Sequence, residues 1–269
     1  MQRGTIGGAA FRLIVWLVLG FVVLPLLAIV WVSFFDTKIL VFPPPGYTLA
    51  WYHRAWATGD FRQGLVVSVE VGLVATAVSL LLGTAASLAL VRARFPGREL
   101  VAQIVLAPLV VPGIVGGSAL FIFFLEIESA TDIAIAGTLP GLIVAHCVIA
   151  LPWTVRLMTA ALLGVSRTIE EAAENLGADP LTVFRRVTLP MIRPGFVAAA
   201  LFAFVVSFID LEKSLFLVGP GLTTLQIAIL NYLEWNLDPT VAAVATVQIV
   251  IIAAALLLTN RYANLSRMF

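Results

Sequence analysis

Six long apolar runs are the feature that most restricts what this 269-residue chain can fold into. Crossing the roughly 30 Å hydrocarbon core of a bilayer takes a helix of about 20 mostly apolar residues, at a rise of about 1.5 Å each. Barrel strands are shorter and alternate in polarity, and an unpaired backbone group in lipid costs several kcal/mol. We therefore predict an all-α membrane protein with six transmembrane helices, at residues 13–35, 65–91, 100–125, 133–155, 195–218 and 241–259.

The composition agrees with this class, because 61% of the residues are hydrophobic, 12% are charged and the mean hydropathy is +1.06. With a formal net charge of +1 and two distant lysines, Lys38 and Lys213, the sequence has no concentrated basic face, so nucleic acid is not an expected partner. The single cysteine, Cys147, allows no intramolecular disulfide. No repeat or linker divides the sequence, and we expect one transmembrane domain over residues 1–269.

The arginines predict the orientation in the membrane, because cytoplasmic loops are enriched in Lys and Arg. If the amino terminus is cytoplasmic, twelve arginines lie on that side and three basic residues, Lys38, Arg54 and Arg62, lie on the other. We therefore expect both termini in the cytoplasm. The first apolar run exceeds the usual signal-peptide core and is expected to remain as a helix. The twelve arginines are Arg3, Arg12, Arg92, Arg94, Arg98, Arg156, Arg167, Arg185, Arg186, Arg193, Arg261 and Arg267.

A polar loop, residues 164–193, separates the fourth and fifth apolar runs on the arginine-rich side. Thr168 and Glu171 have the spacing of a capping box, which predicts that a short helix starts at Thr168. Glu170 and Glu174 are expected to point away from a narrow face of small and apolar side chains. That face consists of Ile169, Ala172, Ala173 and Leu176.

The second half of the polar loop has its own start and stop signals. Gly177 is expected to close the first helix in the left-handed conformation. Asp179 as cap and Pro180 in the first turn predict a second short helix. We expect Pro190 and Pro194 to end it before the fifth span. Its apolar stripe is formed by Leu181, Phe184 and Val187.

The spacing of this loop resembles a known signature. Glu171-Ala172-Ala173 is followed after three residues by Gly177, and after nine more by Val187-Thr188-Leu189-Pro190. This is similar to the EAA signature of binding-protein-dependent ABC importer permeases, written E-A-A, three residues, G, nine residues, I-x-L-P. The resemblance implies the type I importer fold, with the short helix as the coupling helix that enters a groove of an ATPase subunit. An amphipathic loop packed under its own bundle is the alternative. The implied coupling residues are Glu170, Glu171, Ala172, Ala173, Leu176, Gly177 and Pro190.

No phosphate-binding loop accompanies the signature, because neither Lys38 nor Lys213 follows a glycine-rich run. The chain is therefore not expected to be an enzyme or to hold a cofactor or metal ion. The resemblance implies that ATP and Mg are bound by a partner ABC ATPase dimer. The other implied partners are a second permease subunit, an extracytoplasmic solute-binding protein and the lipid of a bacterial inner membrane.

Four further segments resemble the second permease of spermidine/putrescine-type importers: residues 47–52, 207–210, 217–221 and 238–246. This resemblance implies a polyamine or related organic amine as the solute. Relatives often carry two acidic residues after Ser-Phe, whereas Ile209 stands at the first of these positions and only Asp210 remains. Glu212 and Lys213 then occupy positions that are commonly apolar. A phosphonate, ferric ion or an amino-acid derivative is the alternative solute.

Charged residues inside predicted spans are costly and are candidates for the solute pathway. Asp210 and Lys213, three residues apart on a helix, are expected to face and neutralise each other, with Glu212 pointing away. Glu70, Asp210 and Glu212 would supply negative charge for a cationic amine, unless they only clamp neighbouring helices. His146 is expected to bond to a neighbouring helix.

Two other function classes fit the sequence less well. An intramembrane enzyme would need paired aspartates or a zinc motif such as His-Glu-x-x-His, which the sequence lacks. A proton-coupled secondary transporter would use His146, Glu70 and Glu212 as proton carriers. It would lose uptake to an uncoupler and need no ATPase.

Overall fold

The computed structural model describes the backbone of residues 4–263 and the side chains of residue 8 and residues 11–259. Arg3 and Arg267, which contribute to the predicted orientation, lie outside the described residues, as does the side chain of Arg261. A 3₁₀ turn (Ala107–Leu109) and a π-helical segment (Phe184–Thr188) interrupt the α-helices. The α-helices are α1 (Gly4–Val32), α2 (Ala50–Ala57), α3 (Gly59–Arg92), α4 (Arg98–Leu106), α5 (Gly113–Thr131), α6 (Leu139–Leu163), α7 (Arg167–Asn175), α8 (Pro180–Val183), α9 (Leu189–Phe208), α10 (Ser214–Leu217), α11 (Leu225–Trp235) and α12 (Thr240–Ala263).

Among the described residues, six helical segments are long and apolar enough to cross a membrane. This confirms the predicted all-α class with six transmembrane helices. Each segment is long and apolar enough to cross the bilayer, and a helix pairs its own backbone N–H and C=O groups. The segments are Phe11–Val32, Gly59–Arg92, Gly113–Thr131, Leu139–Leu163, Pro180–Phe208 and Thr240–Thr259.

The third span differs from the predicted run at 100–125 because the helix breaks near its start. α4 ends at Leu106, and α5 begins only at Gly113, after Pro112 in an extended conformation with φ −53° and ψ 133°. A proline has no N–H to donate and disfavours helix in the residue before it. Pro108 and Pro112 therefore divide the run into two helices.

The fourth span starts and ends later than the predicted run at 133–155. α6 begins at Leu139, where the Thr138 side chain caps the helix by accepting the Gly141 N–H at 3.2 Å. The preceding turn is held by Glu128, whose Oε1 accepts the N–H groups of Ile135 and Ala136 at 2.5 Å each. In a helix that began at residue 133, Pro140 would lie in the interior, where proline lacks an N–H and clashes with the preceding turn. The helix therefore begins at Leu139, which places Pro140 in its first turn.

The fifth span corrects the prediction that Pro190 and Pro194 end a separate helix. Both prolines lie within α9, which continues without a gap from α8 through the π-helical segment. There the Leu189 N–H donates to the Phe184 carbonyl, five residues back. The wider π turn leaves room for a proline ring, so the chain stays helical. At its far end, α9 stops at Phe208 and not at the predicted residue 218.

The chain folds as two compact units, one from Met1–Arg62 with Ile229–Ile251 and one from Gln63–Ala228 with Ile252–Phe269, in their described parts. In the larger unit, α6 packs along α9. One cluster of its buried side chains joins α3, α5, α6 and α10, and consists of Val67, Val71, Phe124, Leu142, Ala145 and Leu217. The second joins α6 and α9 near the polar loop, and consists of Met158, Leu162, Val165, Ile192 and Ala199.

The smaller unit is organised around aromatic side chains that follow α1. Trp51 Nε1 donates to the Phe35 carbonyl at 2.5 Å, and Trp51 is buried. The hydroxyls of Ser33 and Tyr52 lie 2.6 Å apart, and Phe35 pairs with Tyr47 in an isolated β-bridge. These contacts fold the segment after α1 back onto the end of that helix.

Asp238 holds the turn between α11 and α12 in this unit. Its carboxylate lies 3.3 Å from Arg54 Nη1 and accepts the Tyr232 hydroxyl at 3.1 Å and the Thr240 N–H at 3.0 Å. Burial raises the pKa of the Asp238 carboxyl, but the hydrogen bonds from Thr240 and Tyr232 and the Arg54 charge outweigh it, so its pKa lies below the usual range.

Replacing Asp238 by Asn is expected to lower the melting temperature of the purified protein near neutral pH. Because the pKa of Asp238 is depressed in the fold, its stabilisation is present above the unfolded-state value of about 4 and is lost as the pH falls through the lower folded value. Melting curves of wild type and Asp238→Asn should therefore converge below about pH 4. Glu234→Gln, at an exposed carboxylate on α11, is the control. A difference independent of pH would contradict this account.

Candidate functional site

The first helix of the polar loop, α7, starts one residue earlier than predicted. Ser166 is the N-cap residue, and its side chain makes no capping hydrogen bond. The prediction of a capping box between Thr168 and Glu171 is therefore wrong. With the start at Arg167, Thr168 lies inside the first turn, and Glu171 Oε1 instead lies 3.1 Å from Arg167 Nε, one turn back.

Gly177 has a φ of +88°, which confirms the prediction that it closes α7 in the left-handed conformation. The Gly177 N–H donates to the Glu174 carbonyl at 2.9 Å, and the Ala178 N–H donates to the Ala173 carbonyl at 3.1 Å. This pair of bonds is a Schellman motif. A Cβ at Gly177 would meet nothing within 4 Å, so glycine is needed there for its conformation and not for space.

Asp179 starts the next turn as predicted. Its Oδ1 accepts the N–H groups of Leu181 and Thr182 at 3.0 and 3.1 Å, and Pro180 occupies the first helical position. The hydrogen bonds from the Thr182 hydroxyl and backbone hold the pKa of the Asp179 carboxyl below its usual range. Both ends of the short connection between α7 and α8 are thus fixed by local bonds.

α7 leaves its small and apolar face uncovered. Leu176 is 90% exposed and Ile169 is 44% exposed, with Ala172 exposed between them. Ala173 is half-buried, and Glu171 is exposed beside this face. An apolar face without a covering element is typical of a contact surface for another molecule.

The opposite face of α7 is anchored by Glu170, which is only 8% exposed. Arg92 Nε, at the end of α3, lies 2.7 Å from Glu170 Oε2, and Arg92 Nη2 donates to Oε1 at 3.3 Å. The Thr188 hydroxyl donates to the same Oε1 at 2.7 Å. Glu170 therefore points away from the apolar face, as predicted, but into the protein and not into solvent.

Sequence reasoning missed both partners of Glu170. The available signal for Arg92 was its place as the first charge after the second apolar run. Thr188 lies within the quoted signature, but nothing in that pattern assigns a bond to its hydroxyl. Because this ion pair is largely shielded from solvent, removing one member would leave the other charge without its partner.

A second polar group lies where the fifth span breaks, at residues 209–213. Asp210 Oδ2 accepts the N–H groups of Lys213 and Ser214 at 3.0 and 3.2 Å, which starts α10. Lys213 Nζ lies 3.9 Å from Asp210 Oδ1 and also 3.9 Å from Glu212 Oε2. The Asp210–Lys213 pairing is confirmed, whereas the prediction that Glu212 points away is wrong, because the segment is a turn and not a helix.

Glycines on α5 let this broken segment approach closely. A Cβ at Gly117 would lie 2.8 Å from the Glu212 carbonyl oxygen and 3.1 Å from Lys213 Cα, and a Cβ at Gly113 would overlap the Glu212 carboxylate. Sequence reasoning missed this packing. Its signal is the group of small residues at helical spacing, Gly113, Gly116 and Gly117, which permits close backbone approach.

Among the residues that the structure describes, no hydrogen bond or ion pair links Glu70 to Asp210, Glu212 or Lys213. Glu70 lies exposed on α3. The side chain of Glu212 is half-exposed, while those of Asp210 and Lys213 are 7% and 13% exposed. Among the residues with described side chains, no group of three or more His, Cys, Asp or Glu is arranged to hold a metal ion.

His146 on α6 bridges the two helix ends that flank the break. Its Nδ1 lies 2.7 Å from the Ser207 hydroxyl at the end of α9, and its Nε2 lies 3.2 Å from the Ser214 hydroxyl at the start of α10. A neutral imidazole has one donor and one acceptor, and a hydroxyl can serve either. The predicted bond from His146 to a neighbouring helix is confirmed.

Gly117→Ala is expected to destabilise the protein, because the added Cβ would press on backbone atoms that cannot rotate away. Gly116→Ala is the matched control, since a Cβ there meets its nearest neighbours only at 3.9 and 4.0 Å, and alanine favours helix by about 1 kcal/mol over glycine. Thermal unfolding in detergent should show a lower melting temperature for Gly117→Ala alone. Equal behaviour of both variants would refute the close packing of α5 on residues 212–213.

Comparison with solved structures supports the fold. The chain resembles a bacterial ABC transporter involved in the import of the acidic polysaccharide alginate, with a TM-score of 0.71, 16% identity and coverage of 97% of this chain and 98% of that one. It also resembles the MetNI methionine ABC transporter in an inward-facing conformation, with a TM-score of 0.64, 21% identity and coverage of 76% and 95%. At these identities, the likeness shows the fold alone.

Sequence comparison shows the family. Residues 79–267 match the family described as binding-protein-dependent transport system inner membrane component. The putrescine transport system permease protein PotI of Escherichia coli is 34% identical over 236 residues, covering 87% of this chain and 84% of that protein. The spermidine/putrescine transport system permease protein PotC of Haemophilus influenzae is 27% identical, with coverage of 80% and 81%.

A relative named for another solute matches at a similar level. The trehalose transport system permease protein SugB of Mycobacterium tuberculosis is 31% identical over 220 residues, covering 80% of this chain and 78% of that protein. PotI and PotC are both named for putrescine, whereas SugB is named for trehalose. This chain therefore belongs to the binding-protein-dependent transport system inner membrane components, and it is a multi-pass inner-membrane permease subunit of an ABC importer.

Proposed function

We propose that this permease carries a polyamine or a related small organic amine, and that α7 docks into a partner ABC ATPase. The observation that carries the docking proposal is the uncovered apolar face of α7, with Leu176 90% exposed on a helix whose other face is anchored by Glu170. Small side chains such as Ala172 allow a groove to approach the helix backbone closely. The coupling role of Glu170, Glu171, Ala172, Ala173, Leu176, Gly177 and Pro190 is part of this proposal, with Glu170 acting from inside the protein.

The proposed orientation places the polar loop and both termini in the cytoplasm. Support comes from the arginines at the loop end of the larger unit, which include Arg92, Arg94, Arg98 and Arg167. In this orientation, α7 faces the compartment that contains ATP.

The proposed partners follow from the missing phosphate-binding loop and from the exposed apolar face of α7. Its sequence has no phosphate-binding loop, so ATP and Mg would be bound by the ATPase dimer. A second permease subunit would complete the pathway, and an extracytoplasmic binding protein would deliver the solute. ATP-driven closure of the dimer would move α7, and with it the helices that α7 contacts.

The docking proposal predicts that Ala172→Glu abolishes co-purification with the ATPase and lowers solute uptake at least about tenfold, since a buried unpaired charge costs several kcal/mol at an interface. Glu171→Arg and Gly177→Asp should also reduce transport, with membrane insertion intact. Glu126→Arg is the control, because this exposed carboxylate lies near the end of α5, away from the polar loop along α6.

The measurements are affinity purification of the complex and uptake into proteoliposomes. Full ATPase binding by Ala172→Glu would overturn the docking proposal. Uptake that persists without the ATPase and stops with an uncoupler would instead favour the proton-coupled transporter.

The amine proposal is supported by the similarity to PotI and PotC, which are named for putrescine transport, and by the charges at the break in the fifth span. Asp210 and Glu212 provide two carboxylates against the single ammonium of Lys213, which leaves an excess of negative charge beside α5. The half-exposed Glu212 is the group best placed to meet a cationic solute, and Asp210 mainly holds the turn. Glu70 stays a candidate on α3.

Labelled putrescine tests this proposal. Glu212→Gln is expected to raise the KM for its uptake about tenfold, equivalent to about 1.4 kcal/mol, because a charge-assisted hydrogen bond to the amine would be lost. Glu126→Gln is the control. If the cognate binding protein holds trehalose or an anion, and putrescine does not compete, the amine proposal falls while the docking proposal stands.

A further inference from the structure

The cluster of Arg92, Glu170 and Thr188, here called the anchoring cluster, joins four elements at the base of the polar loop. We infer that it is the positioning element that makes α7 move as one body with α3, α6 and α9, so that ATPase closure is converted into solute movement. This inference rests on the proposed docking of α7.

Arg92 connects three of these elements by itself. Besides Glu170, its Nη2 donates to the Leu162 carbonyl at 3.2 Å and to the Val165 carbonyl at 3.1 Å, where α6 ends. The Leu162 carbonyl also accepts the Val165 N–H at 3.2 Å, so the guanidinium adds to the backbone bonds that close α6 and at the same time holds α7. Arg167 Nη1 donates in return to the Arg92 carbonyl at 3.5 Å, at the end of α3.

Glu170 connects α7 to the start of the fifth span. Its Oε1 accepts from both Arg92 and Thr188, and Thr188 is the last residue of the π-helical segment that leads into α9. Glu170 and Thr188 are buried, at 8% and 3% exposed, whereas the Arg92 side chain is 21% exposed. A displacement of α7 therefore pulls on α9 through one carboxylate as well as through the chain.

α7 needs such an anchor because it is short and exposes its apolar face. An isolated helix of nine residues is marginal in water. The connection after α7 is fixed by the backbone bonds at Gly177 and by the Asp179 cap, whereas the connection between α6 and α7 begins at Gly164. Without the cluster, movement of α7 relative to α6 would be absorbed at this first connection.

The geometry requires arginine and not lysine at position 92. One planar guanidinium reaches the Glu170 carboxylate on α7 and two carbonyls at the end of α6. An ammonium is a compact point charge and lacks this fork. Arg92→Lys keeps the charge and is expected to lose the contacts to α6.

The decisive readout is the ratio of solute moved to ATP hydrolysed by the complete complex in proteoliposomes. Glu170→Gln, which keeps the shape of the side chain, is expected to retain the ATPase and hydrolysis while lowering this ratio about tenfold. Arg92→Lys should lower it in the same direction. Glu174→Gln is the control, because Glu174 lies one turn later on α7 and is exposed.

Thr188→Val tests the link to α9 without disturbing the ion pair, and it serves if Glu170→Gln does not assemble. It is expected to lower the ratio about threefold. The inference is overturned if the ratio stays at the wild-type value in assembled Glu170→Gln, or in Thr188→Val when Glu170→Gln does not assemble. A parallel fall of uptake and hydrolysis leaves the ratio unchanged and so assigns the cluster a structural role only.

These outcomes separate the inference from the proposed function. If the wild-type chain binds no ATPase, the docking proposal fails. If wild type binds and transports, and Glu170→Gln matches its ratio, only the positioning role fails.

Discussion

The structure depends on one constraint, namely that each backbone N–H and C=O within the apolar layer needs a partner. Where the chain stays helical, the helix supplies it. At two places where the chain leaves the helix, a side chain takes over. Asp210 accepts two N–H groups at the break after α9, and Glu128 accepts two before α6. At these two breaks, the polar side chains are therefore already hydrogen-bonded to backbone N–H groups.

This constraint explains why charged residues in the larger unit have two kinds of role. Asp210 is mainly structural, because its carboxylate starts α10, whereas the neighbouring Glu212 is half-exposed and rests against Gly113. Similarly, Glu170 is occupied inside the protein, and Glu171 beside it is exposed. Adjacent carboxylates thus separate into one that fixes the backbone and one that is open to contact.

The helices α6 and α9 connect the two polar regions of the larger unit. At one end, the Leu162 carbonyl and the Thr188 hydroxyl belong to the anchoring cluster. At the other end, His146 links Ser207 to Ser214 across the break. α9 has 20 residues, about 30 Å of helix, and it packs along α6 between these regions. A rigid pair of this kind can carry movement from the docking loop to the charged break, as the proposed mechanism requires.

The sequence by itself determined the class, the number of spans and the turns at Gly177 and Asp179, but not the start of α7 or the helix breaks. Apolar length predicted the helices because bilayer thickness leaves no other choice, and Gly177 and Asp179 were correctly assigned because caps depend on neighbouring residues. Only the tertiary structure decided what the charges contact. Arg92, Glu170 and Thr188 are far apart in sequence, and the turn at residues 209–213 brings Glu212 to Lys213 by a backbone path that helical spacing did not predict. Such contacts depend on how helices pack, which a one-dimensional pattern does not contain.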